Sequence, residues 1–148
     1  MLLLSESRII IEALAGFFTL PFISPDPQAN HRSILVIPGF ATDDWATFVL
    51  RHYLGRRGYR AVGWKLGTNW GSDPNLRDKL VTRIKQLSAQ GNSKITLIGW
   101  SLGGIYAREL ARRHTDHINA VITLGSPFSG TLTANNLFQF YQIHMLEL

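Results

Sequence analysis

The chain has 148 residues, 45% of them hydrophobic and 17% charged, which suits one globular domain with a substantial core and excludes a disordered or fibrous chain. It has no cysteine, so a disulfide framework and a thiolate metal site are excluded, while the compartment stays open. The formal charge of +5 would suit an anionic partner, but the basic residues are scattered and no nucleic-acid-binding pattern forms. Arg56-Arg57 and Arg112-Arg113 fall where helices are expected to end, and cations there offset the helix dipole.

Residues 1–30 differ from the rest. Ile9–Leu20 is strongly apolar and Pro21 closes it, but Glu12 and Gly16 interrupt it, and it is short for a membrane span. Glu6 and Arg8 cancel ahead of it and no small-residue cleavage site follows, unlike a secretory signal. Three readings stay open: a helix packed on the domain, which is preferred, an interfacial helix giving peripheral membrane contact through residues 9–20, or an uncleaved anchor. A cytoplasmic or peripheral membrane location is the corresponding expectation. Ser24–Asn30 reads as a linker from its Pro, Asp and Asn content, which sets residues 31–148 apart as the main domain.

Ser33–Ile37 is a buried strand running into Pro38-Gly39-Phe40. A helix follows, with Trp45, Phe48, Val49, His52 and Tyr53 at helical spacing, Thr42 or Asp43 as its cap, and Gly55 with Gly58 as its end. Tyr59–Trp64 reads as a strand. The loop to Gly71 comes next, then a cap at Ser72-Asp73-Pro74 and a helix with Leu76, Leu80, Ile84 and Leu87 on one face, stopped at Gly91. Ile95–Ile98 and Ile118–Leu124 are two more apolar strands with the helix Leu102–Arg113 between them; Leu132–Leu148 is weakly patterned and expected to be helical. Alternating strands and helices with continuously apolar strands predict an α/β fold, a mostly parallel sheet with helices on both faces. Right-handed crossovers place the first strand beside Ile95–Ile98, so that Gly39-Phe40, Ser101 and Ser126-Pro127 meet at one rim.

Gly99-Trp100-Ser101-Leu102-Gly103 spells G-x-S-x-G between a strand and a helix, with Gly104 following. This is the pattern of a nucleophile elbow: a turn so tight that side chains at the glycines would strike the neighbouring strand or helix, with the serine in strained geometry over a helix N-terminus. A serine N-cap on an ordinary strand–helix turn would explain Ser101, but not glycine at 99, 103 and 104 together.

With Ile34–Phe40, Gly99–Gly104 and Gly125–Thr131 in this order, the chain resembles an α/β-hydrolase of the lipase/esterase kind. The resemblance implies Ser101 as nucleophile and the backbone N–H groups of Phe40 and Leu102 as an oxyanion hole, with Gly39 letting the backbone turn in close. Two positions depart from many lipases, which carry histidine where Pro38 and Phe128 stand; neither is a triad position. Trp64, Trp70 and Phe128 are candidates for lining a substrate groove, with core packing held by glycine turns an equal reading of the two tryptophans.

The family's order of nucleophile, acid and histidine meets a gap. After Ser101 the acids are Glu109, Asp116 and Glu147, and the histidines are His114, His117 and His144. Glu109 falls inside the elbow helix, and Asp116 with His114 and His117 occupies a turn at the wrong edge of the sheet. No base is assigned, His144 included, and the expectation is that the chain ends before the segment carrying acid and histidine. No metal-ligand spacing, phosphate loop or dinucleotide glycine pattern occurs, so no cofactor and no metal is implied. The expected function is a serine hydrolase cleaving small-molecule or lipid esters. An acyltransferase or thioesterase with the same serine, or a catalytically silent binding module, are the alternatives.

Overall fold

Ser33–Ile37 is buried at all five positions, which only a strand inside a sheet covered on both faces allows. The computed structural model, which describes residues 24–27, 29 and 31–126, builds that sheet from four strands. The elements in order are β1 (Ser33–Ile37), α1 (Phe48–Arg56), β2 (Arg60–Gly63), α2 (Leu76–Gly91), β3 (Ile95–Trp100), α3 (Leu102–Arg113) and β4 (Ile118–Leu124). The apolar segment 9–20, the Gly125–Thr131 motif from Pro127 onward, Phe128 and His144 lie outside the described residues.

The strand order is β2-β1-β3-β4 and every pair is parallel, with β1 beside β3 as right-handed crossovers require. Stepping from β1 to β2 and from β2 to β3 runs in opposite directions along the sheet, so the helices must divide between its faces. They do. Leu35, Ile37, Ile95 and Leu97 pack with Leu80, Ile84 and Leu87 of α2 and with Leu102 and Leu110 of α3. Ile34, Val36 and Ile98 face the other way and meet Leu50 and Leu54 of α1. The period-2 alternation of β1 thus feeds two cores from one strand.

α2 buries Leu76, Leu80, Ile84 and Leu87 as its spacing predicts, and ends at Gly91 with Asn92 in the left-handed region (φ 44°). Its start differs from the expected cap at Ser72-Asp73-Pro74. The N-cap is Asn75, while Asp73 accepts the Asn75 N–H and pairs with Lys79 at 2.6 Å. The Lys79 hydrogen bond, then the Asn75 N–H, hold the Asp73 carboxyl below its usual range.

α1 departs further. It buries no residue, and Trp45, Phe48, Val49 and Tyr53 are exposed, Trp45 by 79%. The side meeting the sheet is Leu50 and Leu54, one turn apart. The aromatic row instead stacks on itself, Trp45 on Phe48 at 5.5 Å and Phe48 on His52 at 5.8 Å. Neither expected cap residue caps this helix. The Thr42 hydroxyl is given to Gly39 O, Asp43 accepts the Trp45 N–H in a turn, and the helix begins after Thr47. Those turns set the helix phase before its first residue.

β4 buries Ile118 at its start, while Ile122 and Leu124 are exposed along the sheet edge among the described residues.

Candidate active site

The chain leaves β1 toward α1 on one face and β3 toward α3 on the other. The C-terminal ends of adjacent parallel strands that lead to opposite faces are the usual ligand position in such sheets. The register pairs Ile37 with Gly99, so Gly39 comes level with Ser101 two residues on. A Cβ built on Gly39 would lie 3.4 Å from the Ser101 Cβ and 3.4 Å from the Trp100 carbonyl oxygen.

Ser101 follows β3 directly and has φ 51° and ψ −115°. Such geometry costs an L-residue roughly 1–3 kcal/mol and persists only where the surroundings enforce it. Its N–H donates to Leu124 O at 2.8 Å, and its carbonyl accepts the Ser126 hydroxyl at 2.8 Å and the Gly104 N–H at 3.0 Å. The glycines set the packing. A Cβ at Gly99 would run into the Gly103 backbone, one at Gly103 would meet the Ile37 carbonyl and lie 2.7 Å from Pro38 O, and one at Gly104 would strike the Ser126 hydroxyl. The first turn of α3 thus lies directly on β1 and β3. Ser101 occupies the N-cap position without making a side-chain cap bond, so helix capping does not explain the residue. Leu102 is the first residue of α3, where backbone N–H groups have no partner within the helix.

The facing wall is the turn Pro38–Thr42. Gly39 O accepts the Thr42 hydroxyl at 2.8 Å and the Thr42 N–H at 3.3 Å. Ala41 is left-handed (φ 56°) and its N–H donates to Asn69 O at 2.7 Å. Asn69 is 1% exposed; its side-chain amide donates to Pro38 O at 2.9 Å, and its N–H to Thr42 O at 2.8 Å. Asp44 closes the other end of this loop pair by accepting the Trp64 N–H at 2.9 Å and the Lys65 N–H at 3.0 Å. None of Thr42, Asp44 or Asn69 was assigned a place in the site from the sequence. Polar residues in a loop are ordinary, and no spacing distinguishes those whose partners lie on another loop.

The two tryptophans of the 64–71 loop part company. Trp64 is 2% exposed in the core, with its indole N–H given to Gly67 O, so the packing alternative describes it and it lines no surface groove. Trp70 is 60% exposed and meets Phe40 edge-to-face at 6.1 Å. The loop ends at Gly71, where an added Cβ would lie 3.3 Å from Leu102 and 3.9 Å from Phe40.

The described acids and histidines that follow Ser101 stand elsewhere, as does His52. His114, Asp116 and His117 form the turn into β4, and His117 O accepts the Ile95 N–H at the start of β3, the end of the sheet opposite Ser101. Burial, then Lys85 and Arg77, push the His114 pKa down. Glu109 pairs with Arg113 at 2.7 Å, and His52 stacks on Phe48. Among the described residues no group of three or more His, Cys, Asp or Glu could hold a metal ion, and no helix is long and apolar enough to cross a membrane.

Comparisons with known proteins agree with this architecture. The model of the alpha/beta hydrolase fold family matches residues 71–142. The biotin biosynthesis bifunctional protein BioHC of Teredinibacter turnerae is 34% identical over 106 residues, covering 68% of this chain and 18% of the relative. The mature lipase BlEst2 of Bacillus licheniformis superposes with TM-score 0.56 at 22% identity, over 76% of this chain and 48% of the lipase. A soluble variant of monoglyceride lipase from Saccharomyces cerevisiae gives TM-score 0.54 at 18% identity, over 79% of this chain and 44% of that one. At these identities the structural likeness establishes the fold. The chain spans about half the length of the two lipases and under a fifth of the bifunctional protein.

A parallel sheet wound on both faces, with the family match across β3 and α3, defines the class: the chain has the α/β-hydrolase fold. Its sheet and helices correspond to the N-terminal portion of that fold.

Proposed function

We propose that the chain carries the nucleophile and oxyanion-binding half of a serine hydrolase acting on carboxylic esters of apolar acyl compounds. The carrying observation is Ser101, held at φ 51° between β3 and α3 with Gly39 level with it on the next strand. In this reading the Ser101 hydroxyl oxygen attacks the acyl carbon, and the carbonyl oxygen takes up negative charge facing the Phe40 and Leu102 N–H groups. Preorganised amides are worth most there, since each lost donor lowers kcat roughly 10²–10³-fold. The serine proton passes to a histidine outside the described residues and on to the leaving alcohol. Water then attacks the acyl-enzyme, releasing the acid and restoring Ser101.

The lipase names of two structural relatives support an acyl ester as the substrate class. The exposed Trp70, with the partly buried Phe40 set edge-to-face against it, offers apolar surface for an acyl chain. The test is labelling by a fluorophosphonate and cleavage of a short-chain nitrophenyl ester by the complete gene product. Ser101→Ala is expected to abolish both while the fold is retained. Equal turnover by this variant would refute the reading.

A further inference from the structure

We propose that Thr42 is a positioning residue, whose hydroxyl fixes the Gly39–Phe40 peptide so that the Phe40 N–H is turned toward Ser101. The inference rests on the reading above, in which that N–H is an oxyanion donor. No peptide bond described is cis, and across a trans peptide the C=O and N–H point in opposite directions. Whatever holds the Gly39 carbonyl therefore also aims the Phe40 N–H.

Thr42 holds it twice. The backbone bond, Thr42 N–H to Gly39 O, is long at 3.3 Å, whereas the hydroxyl bond is 2.8 Å. N–H···O bonds ordinarily fall at 2.7–3.2 Å, so the hydroxyl is the stronger hold. Position 39 needs it. The close approach to Ser101 and Trp100 favours glycine there, and a glycine leaves its own ψ, and thus the following peptide plane, unusually free to rotate. Asn69 completes the restraint by donating to Pro38 O, so the carbonyls on both sides of the Gly39 Cα are held. The Asn69 backbone, paired with Ala41 N–H and Thr42 O, keeps Thr42 in register for its bond. The left-handed Ala41 fits a type II turn over residues 39–42, a geometry alanine adopts only under such restraint.

The test compares Thr42→Val, which keeps the shape and removes the hydroxyl, with Thr42→Ser, which keeps the hydroxyl. The residual dipolar coupling of the Phe40 N–H reads the peptide orientation, and nitrophenyl ester cleavage by the complete gene product reads its consequence. Thr42→Val is expected to shift the Phe40 coupling and lower kcat by roughly 10²-fold with KM nearly unchanged, toward the loss seen on deleting a donor. Thr42→Ser is expected to restore both. Thr42→Ala serves in place of Thr42→Val if the latter does not fold. An unchanged Phe40 coupling, or an unchanged kcat, in the hydroxyl-less variant would overturn the inference. Ester cleavage undiminished by Ser101→Ala would instead locate the failure in the nucleophile reading, and the inference would fall with it.

Discussion

The strand–helix turn at Gly99–Gly104 and the turn at Pro38–Thr42 stand at the ends of neighbouring strands, and each holds a non-glycine residue in the left-handed region, Ser101 at 51° and Ala41 at 56°. They are held by opposite means. At the strand–helix turn, missing side chains let α3 settle onto β1 and β3, and the strain at Ser101 is enforced by backbone contact. At the turn, hydrogen bonds from Thr42 and the buried Asn69 do the work. Steric restraint fails when an atom is added, whereas hydrogen-bond restraint fails when a partner is removed.

The largest effect is expected where an atom is added. Gly103→Val places a branched side chain against the Ile37 and Pro38 carbonyls, which are backbone and cannot move aside. A loss of about 3 kcal/mol or more is expected in urea unfolding, the upper range for overpacking. A loss well under 1 kcal/mol would mean that α3 can lift from the sheet freely, and the contrast would collapse.

Removing a partner comes next. Asn69→Leu keeps the branching of the side chain but leaves the Pro38 carbonyl without its amide donor, at a cost of about 1–3 kcal/mol for an unsatisfied buried group. The same denaturant titration measures it. A neutral result would show that the turn is held without the Asn69 side chain.

Relieving strain is a smaller change of opposite sign. Ala41→Gly removes a left-handed Cβ penalty of about 1–2 kcal/mol and restores glycine's greater unfolded-state entropy of about 0.5–1 kcal/mol. A net gain of about 0.5–1 kcal/mol is therefore expected, visible as a higher Tm. A lower Tm would mean that Ala41 is not strained.

The smallest effect lies far from both loops and serves as a control. Folding depresses the His114 pKa from its ordinary 6.5, chiefly by burial. The unfolded chain then binds the proton more tightly, so this contribution is intact above 6.5 and is lost as pH falls through the folded value. His114→Gln should flatten the stability-against-pH curve on that acid side, measured by thermal unfolding across the range. It should leave the proposed ester cleavage untouched, because the turn before β4 is at the far end of the sheet from Ser101.

What local pattern can encode, the sequence determined. The strands, the buried face of α2, the span of α3 and the close packing at Gly99, Gly103 and Gly104 follow from apolar periodicity and from residue types that permit close approach. The neighbourhood of β1 and β3 followed too, because crossover handedness leaves little choice. Other features needed the tertiary structure. The aromatic row of α1 has a helical period, yet period alone carries no phase relative to the sheet, and the turns at Asp43–Thr47 aim Leu50 and Leu54 inward instead. Trp64 and Trp70 share one glycine-rich loop, but only the path of that loop sends the first into the core and the second to the rim. Thr42 and Asn69 were the least legible residues. Their importance lies in which carbonyls they reach, and for Asn69 that partner stands on a different strand's loop, where no local spacing can announce it.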